Sequence, residues 1–232
     1  MKKMLLIIPV LVLALWWFKD PTISAPNSDV SFGYIVKYSG NSSRSDNLPM
    51  LVALHGNGDT AENFYNTALD QLYVPARIVL IKGPLSGNAW PWTAADFAQY
   101  GKSLSEAIEL LALKYPTIGK PILIGFSGGG TMAYYQAAKH GNSYSYIFPV
   151  SGQLSNGVLG DESFRTGAEV FAFHGRSDDV ISISGGKIAV NILRANGANV
   201  EFTEFAIGHH GIFTDMKTKI TQTVEQKLKS LN

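Results

Sequence analysis

The hydrophobic pattern divides the chain into a leader and an alternating body. Residues 4–18 are apolar throughout apart from the uncharged Pro9, with Lys2 and Lys3 ahead of them. That run is longer than a minimal signal-peptide core and shorter than the roughly 18–20 residues that span a bilayer comfortably. It reads as an export signal, either cleaved or retained as an anchor, with Trp16, Trp17 and Lys19 suited to a membrane interface. Ile23-Ser24-Ala25 is a loose match to a cleavage site, followed by Pro26. The expected division is therefore a leader over residues 1–25 and a globular domain over 26–232.

Residues 20–29 are polar and turn-rich and read as a linker. Residues 31–38 alternate, with Phe32, Tyr34 and Val36 on one side, which predicts a strand. Residues 40–47 are polar and predict a loop. Met50 to Leu54 are continuously apolar, as in a central strand of a parallel sheet. Asp59 with Glu62 three residues on resembles a capping box, so a helix is expected to start there. Further strands are expected at 78–81, 121–124, 147–150, 170–173 and 200–205. Phe97, Tyr100, Leu104, Ile108 and Leu111 recur at helical steps and mark an amphipathic helix that Tyr115-Pro116 ends. Helices are also expected at 131–139, at 183–195 with Asn196-Gly197 as the stop, and along Phe213, Met216, Ile220, Val224 and Leu228. No internal repeat is present. Strands alternating with helices imply an α/β domain with a mostly parallel central sheet and helices on both faces.

Composition narrows the chemistry. The 232 residues carry a formal net charge of +1 and no cysteine. A near-neutral chain without a basic patch does not predict a nucleic-acid partner. The absence of cysteine excludes disulfides, thiolate metal sites and a thiol nucleophile. The histidines lack metal-ligand spacing, so neither a metal nor another cofactor is expected.

The segment that organises the rest is Gly125-Phe126-Ser127-Gly128-Gly129, between a short apolar strand and a helix. A Gly-x-Ser-x-Gly turn in that context holds a serine hydroxyl out at the top of a sheet. Serine is a weak nucleophile near neutral pH and needs an imidazole to take its proton and a carboxylate to orient the imidazole. The chain supplies Asp178-Asp179 after one strand and His209-His210 after the next. Ser127, an Asp and a His therefore follow one another in the order expected of this arrangement. His55 and His174 precede glycines at strand ends and read as loop-holding residues. His140, at the end of a helix, is expected to be solvated.

Several segments together resemble the α/β-hydrolase superfamily, and within it the phospholipase/carboxylesterase branch that includes acyl-protein thioesterases. They are Leu54-His55-Gly56-Asn57-Gly58-Asp59-Thr60, Gly125 to Gly130, Ser151-Gly152, His174-Gly175-Arg176-Ser177-Asp178-Asp179-Val180 and Gly208-His209. The resemblance runs from about residue 30 to the end and implies the α/β-hydrolase fold. It implies Ser127 as nucleophile, His209 as general base and then acid, and Asp178 as the orienting carboxylate. Motif spacing favours Asp178 over Asp179 and His209 over His210 and leaves both alternatives open. The backbone N–H groups of Asn57 and Gly128 are the implied oxyanion hole. Two positions depart from the branch: Gly128 stands where Gln is frequent, and Asn57 where an apolar residue is frequent. Asn57 is therefore expected to bring a side-chain amide to the site. Trp90 and Trp92, in the loop before a helix, are candidates to wall an acyl pocket. The stretch from Val150 to Val170 has no apolar helical stripe, so no large lid is expected.

The resulting expectation is an exported carboxylesterase, periplasmic, extracellular or tethered, that cleaves a small-molecule or lipid ester through an acyl-enzyme. A lysophospholipid, a thioester, a polyester or a feruloyl-type ester are alternatives on the same three residues. A membrane-tethered binding protein on an inactive hydrolase fold is the alternative outside enzymology. Membrane association through residues 4–18 and the oligomeric state are left open.

Overall fold

The computed structural model describes residues 20–26, 28–160 and 163–231. The expected leader, residues 4–18, lies outside the described residues. Among the described residues eight strands form one sheet: β1 Thr22–Ser24, β2 Ser31–Ser39, β3 Met50–Leu54, β4 Ala76–Ile81, β5 Ile122–Phe126, β6 Tyr146–Val150, β7 Glu169–Gly175 and β8 Asn199–Phe205. Their spatial order is β1-β2-β4-β3-β5-β6-β7-β8. β1 and β2 run antiparallel, as do β2 and β4, and the remaining neighbours are parallel. The helices are α1 Ala61–Phe64, α2 Ala94–Lys114, α3 Gly128–Lys139, α4 Asn156–Leu159, α5 Ile183–Ala195, α6 Ile212–Asp215 and α7 Lys217–Lys229.

Two apolar layers sandwich the sheet, which is why the central strands read as unbroken apolar runs rather than alternating ones. Met50, Val52 and Leu54 of β3 face a layer built with Phe97, Leu104 and Leu111 of α2, with α3 and with α5. Leu51 and Ala53, one residue out of phase, face α1, α6 and α7 through Phe64, Phe213, Val224 and Leu228. A fully buried Leu or Phe side chain contributes about 1.5–3 kcal/mol relative to an exposed one. Arg77 is also fully buried, and among the described residues no carboxylate pairs with it. Its guanidinium donates to the carbonyls of Pro116, Arg44 and Asp46 and lies over the rings of Tyr38 and Tyr115. Those contacts replace most of the water a buried cation needs, and its Nε has no hydrogen-bond partner among the described residues.

Four expectations are corrected. Residues 20–29 are not a free linker, because β1 pairs with β2 and Asp20 forms an ion pair with Lys82 at 2.6 Å. The folded unit therefore begins ahead of residue 26, and cleavage after Ala25 would remove an edge strand. The helix after β3 is capped by Thr60, whose hydroxyl accepts from Asn63 N, rather than by Asp59. Asp59 instead accepts from Thr60 N and from the Asn63 amide. The C-terminal helix is two helices that change direction at Met216 (φ −109°, ψ 4°). The break lets Phe213 pack edge-on against Phe64 and Phe126 beneath the carboxyl end of β5, while α7 continues along the sheet. His140 is half-buried rather than solvated, and burial lowers its pKa.

Candidate active site

In an open α/β sheet, ligand chemistry gathers at the carboxyl ends of the strands. Ser127 joins β5 to α3 with φ 55° and ψ −114°, a conformation that costs a non-glycine residue about 1–3 kcal/mol. The surroundings impose it. Ser127 N donates to Val150 O at 2.9 Å, and Thr131 N donates back to Ser127 O at 2.9 Å. The reversal is so tight that a Cβ at Gly125 would stand 2.1 Å from Gly129 O. Only glycine permits that approach of strand to helix.

Asp178 and His209 come from the loops after β7 and β8. The Asp178 side chain is fully buried, and its Oδ2 lies 2.7 Å from His209 Nδ1. Its Oδ1 accepts from the backbone N–H of Ile181 at 2.8 Å and of Val180 at 3.0 Å. Burial works against the charge on Asp178, but the His209 hydrogen bond and those two backbone donors outweigh it and hold its pKa below the ordinary carboxylate value. A carboxylate on Nδ1 places the Nδ1 proton there and leaves Nε2 of His209 free to accept one. Asp179 and His210 are both exposed. Of each adjacent pair, Asp178 and His209 are the members the structure brings together. Ser127 and His209 line one cavity of about 790 Å³. Among the described residues, no hydrogen bond yet joins Ser127 Oγ to His209, a link that in apo enzymes often tightens only with substrate.

His174 stands on the far side of Asp178. It is fully buried, its Nε2 is 2.8 Å from Ile181 O, and the same nitrogen is 3.4 Å from Asp178 Oδ2. Since a carbonyl only accepts, the proton is on Nε2, and burial lowers the pKa of this neutral ring. His174 thus braces the loop that carries Asp178.

Asn57 and Gly128 face each other across the mouth of the elbow. Gly128 opens α3, so its N–H has no partner within the helix and sits at the positive end of the helix dipole. Asn57 turns its side chain onto Gly128: a Cβ there would meet Asn57 Oδ1 at 2.4 Å and Nδ2 at 2.6 Å. Asn57 Oδ1 also accepts from Trp90 N at 2.7 Å. The expected extra amide is therefore at the site, with its oxygen already engaged. His55 donates from Nδ1 to Gly56 O and accepts on Nε2 from Gly83 N at 2.9 Å. Burial lowers its pKa and keeps it neutral in that role.

The two tryptophans separate. Trp92 lines the cavity and is 65% exposed. Trp90 does not wall the pocket: it is fully buried, and its Nε1 donates to His55 O at 2.7 Å. It acts as a brace behind the loop that holds Asn57. Sequence reasoning missed the wall formed by Asn63, Asn66, Thr67, Thr214 and Lys217. Asn63, Asn66 and Thr67 sit at helical spacing as a polar face, a pattern that reads as a solvated surface.

The model of the family "Phospholipase/Carboxylesterase" matches residues 85–228. A search of curated proteins finds no match. Among solved structures, the carboxylesterase of Bacillus cereus is similar at TM-score 0.67 and 17% identity, covering 84% of this chain and 94% of that one. Esterase PE8 is similar at TM-score 0.67 and 20% identity, over 85% of this chain and 99% of that one. A phospholipase/carboxylesterase from Dyadobacter fermentans DSM 18053 is similar at TM-score 0.63 and 17% identity, over 88% and 99%. At such identities the likeness is one of fold, and the fold is that of the α/β-hydrolases, with no large lid among the described residues.

Proposed function

The chain belongs to the phospholipase/carboxylesterase family of hydrolases, and we propose that it is a serine esterase working through an acyl-enzyme. The observation that carries this reading is the strained Ser127 elbow opening on the same cavity as the His209–Asp178 pair. Ser127 Oγ attacks the acyl carbon while His209 Nε2 takes the hydroxyl proton. Asp178 holds the ring by Nδ1 and offsets the positive charge that forms on it. The oxyanion accepts from the N–H groups of Asn57 and Gly128, a contribution of a few kcal/mol to the transition state for preset donors of this kind. His209 then gives its proton to the departing alkoxide. Water repeats the sequence on the acyl-enzyme, releasing the acid and restoring Ser127.

The test is hydrolysis of p-nitrophenyl butyrate and octanoate by the full chain and by Ser127→Ala, with fluorophosphonate labelling of both. Turnover and labelling in the native protein alone are expected. Equal turnover in the variant would end the reading. The apolar residues 4–18 behind Lys2 and Lys3 support export as part of the same proposal. Cell fractionation that finds the protein in the cytosol would refute that part.

A further inference from the structure

The cavity beside Ser127 is two-natured. Its apolar part includes the reacting centre, where Phe126 is 4.9 Å from the His209 ring and Phe213 and Phe64 close on Phe126 at 5.3 and 6.4 Å; Val180, Ile181 and Trp92 also line it. These three rings pack on one another. The other side chains lining the cavity are polar. Helix α1 passes into a π turn at Tyr65–Leu69, an irregularity common at functional sites, and Asn66 and Thr67 of that turn line the cavity. Thr214 of α6 and Gln153, in the loop after β6, line it as well.

Among the described residues, the lysine on this wall is paired and the wall's carboxylate is held by neutral donors. Lys217 is paired with Asp70, and Asp59 Oδ1 is engaged by Thr60 N and by the Asn63 amide. Asn66, Gln153 and Thr214 are exposed, and among the described residues their side chains are engaged in no hydrogen bond. A fatty chain laid along them would strip their water and return nothing, which is costly for amides and hydroxyls. An anion would find no free cation in the Lys217–Asp70 pair. A neutral ring bearing several hydroxyls replaces each lost water contact, and it presents a C–H face to the exposed indole of Trp92.

We propose that the substrate is a short-chain acyl ester of a polyhydroxylated, sugar-like alcohol. The acyl group sits against Phe64, Phe126 and Phe213, and the alcohol lies along Asn66, Thr214 and Gln153 with Trp92 as its platform. This rests on the serine-esterase reading above and assigns its substrate class.

The experiment compares methyl 6-O-acetyl-glucoside with ethyl acetate, which share the acyl group and have alkoxide leaving groups. For the full chain, kcat/KM is expected to be at least about tenfold higher on the sugar ester, the equivalent of one or two hydrogen bonds made only there. The ratio is expected to fall toward one in the Asn66→Ala/Thr214→Val double variant and in Trp92→Ala, through KM. Methyl glucoside alone is expected to inhibit ethyl acetate hydrolysis competitively. A native ratio near one, a ratio the variants leave unmoved, or a preference for ethyl octanoate over the sugar acetate would each overturn the assignment with the esterase reading intact. No hydrolysis of either acetate, together with no fluorophosphonate labelling of Ser127, would overturn both.

Discussion

The side chain of Asn57 occupies the space that any Cβ at position 128 would need, with its Oδ1 2.4 Å from where that atom would stand. The two departures from the family pattern are thus one departure. A side chain on residue 57 that lies over the elbow requires a residue 128 without one. Gly128→Ala is therefore expected to cut kcat on p-nitrophenyl butyrate by about tenfold or more, because either Asn57 or the Gly128 N–H must shift. Adding Asn57→Gly should recover much of that loss. A cycle of the two substitutions should show a coupling of about 1–2 kcal/mol, and simple additivity would contradict the shared-space account.

Ser127 carries backbone strain that glycine would not. Ser127→Gly is expected to abolish turnover and yet to stabilise the fold, since relief of about 1–3 kcal/mol of strain exceeds the roughly 0.5–1 kcal/mol entropy cost of glycine. In a chain of this size that is a rise in Tm of about 2–4 °C. A lower Tm than native in differential scanning calorimetry would show that the elbow is not strained.

Asp178, not the adjacent Asp179, reaches His209. Asp178→Asn is expected to lower kcat by about a thousandfold or more, because the amide no longer fixes the imidazole tautomer. Asp179→Asn is expected to change kcat by less than about twofold. Reversal of that ranking in steady-state kinetics would reassign the acid.

His55 and His174 are buried neutral, and burial lowers both pKa values from the ordinary 6.5. Between each folded-state pKa and 6.5, the unfolded chain binds the proton and the folded chain does not. Stability contributed by these groups is therefore complete above 6.5 and declines as pH falls below it, by at most about 1.4 kcal/mol per pH unit per histidine. Urea midpoints measured from pH 7.5 to 5.5 should fall accordingly, and His174→Gln should flatten the slope. A slope unchanged in that variant would mean that His174 binds its proton equally well in the folded and the unfolded chain.

How much of this was legible beforehand depends on the range of the interactions. The parallel strands and the main helices were written in local pattern: an unbroken apolar run for β3, a helical stripe from Phe97 to Leu111, and Asn196-Gly197 as the stop of α5. The elbow was legible for the same reason, because glycine spacing around Ser127 encodes a local turn. Where a contact spans the chain, local pattern was silent or misleading. Thr22 to Ser24 looks like linker until it pairs with β2. Trp90 looks like a pocket wall until its indole N–H reaches back to His55 O. Asn66 and Thr214, far apart in sequence, look solvated until the π turn and the break at Met216 bring them to one cavity. The sequence by itself determined the order of the elements and the residue types available at their carboxyl ends, since burial period and turn chemistry act over a few residues. Only the tertiary structure decided which aspartate meets which histidine, and what fills the space above Gly128. Those are matters of distance between loops that the sheet, not the chain, brings together.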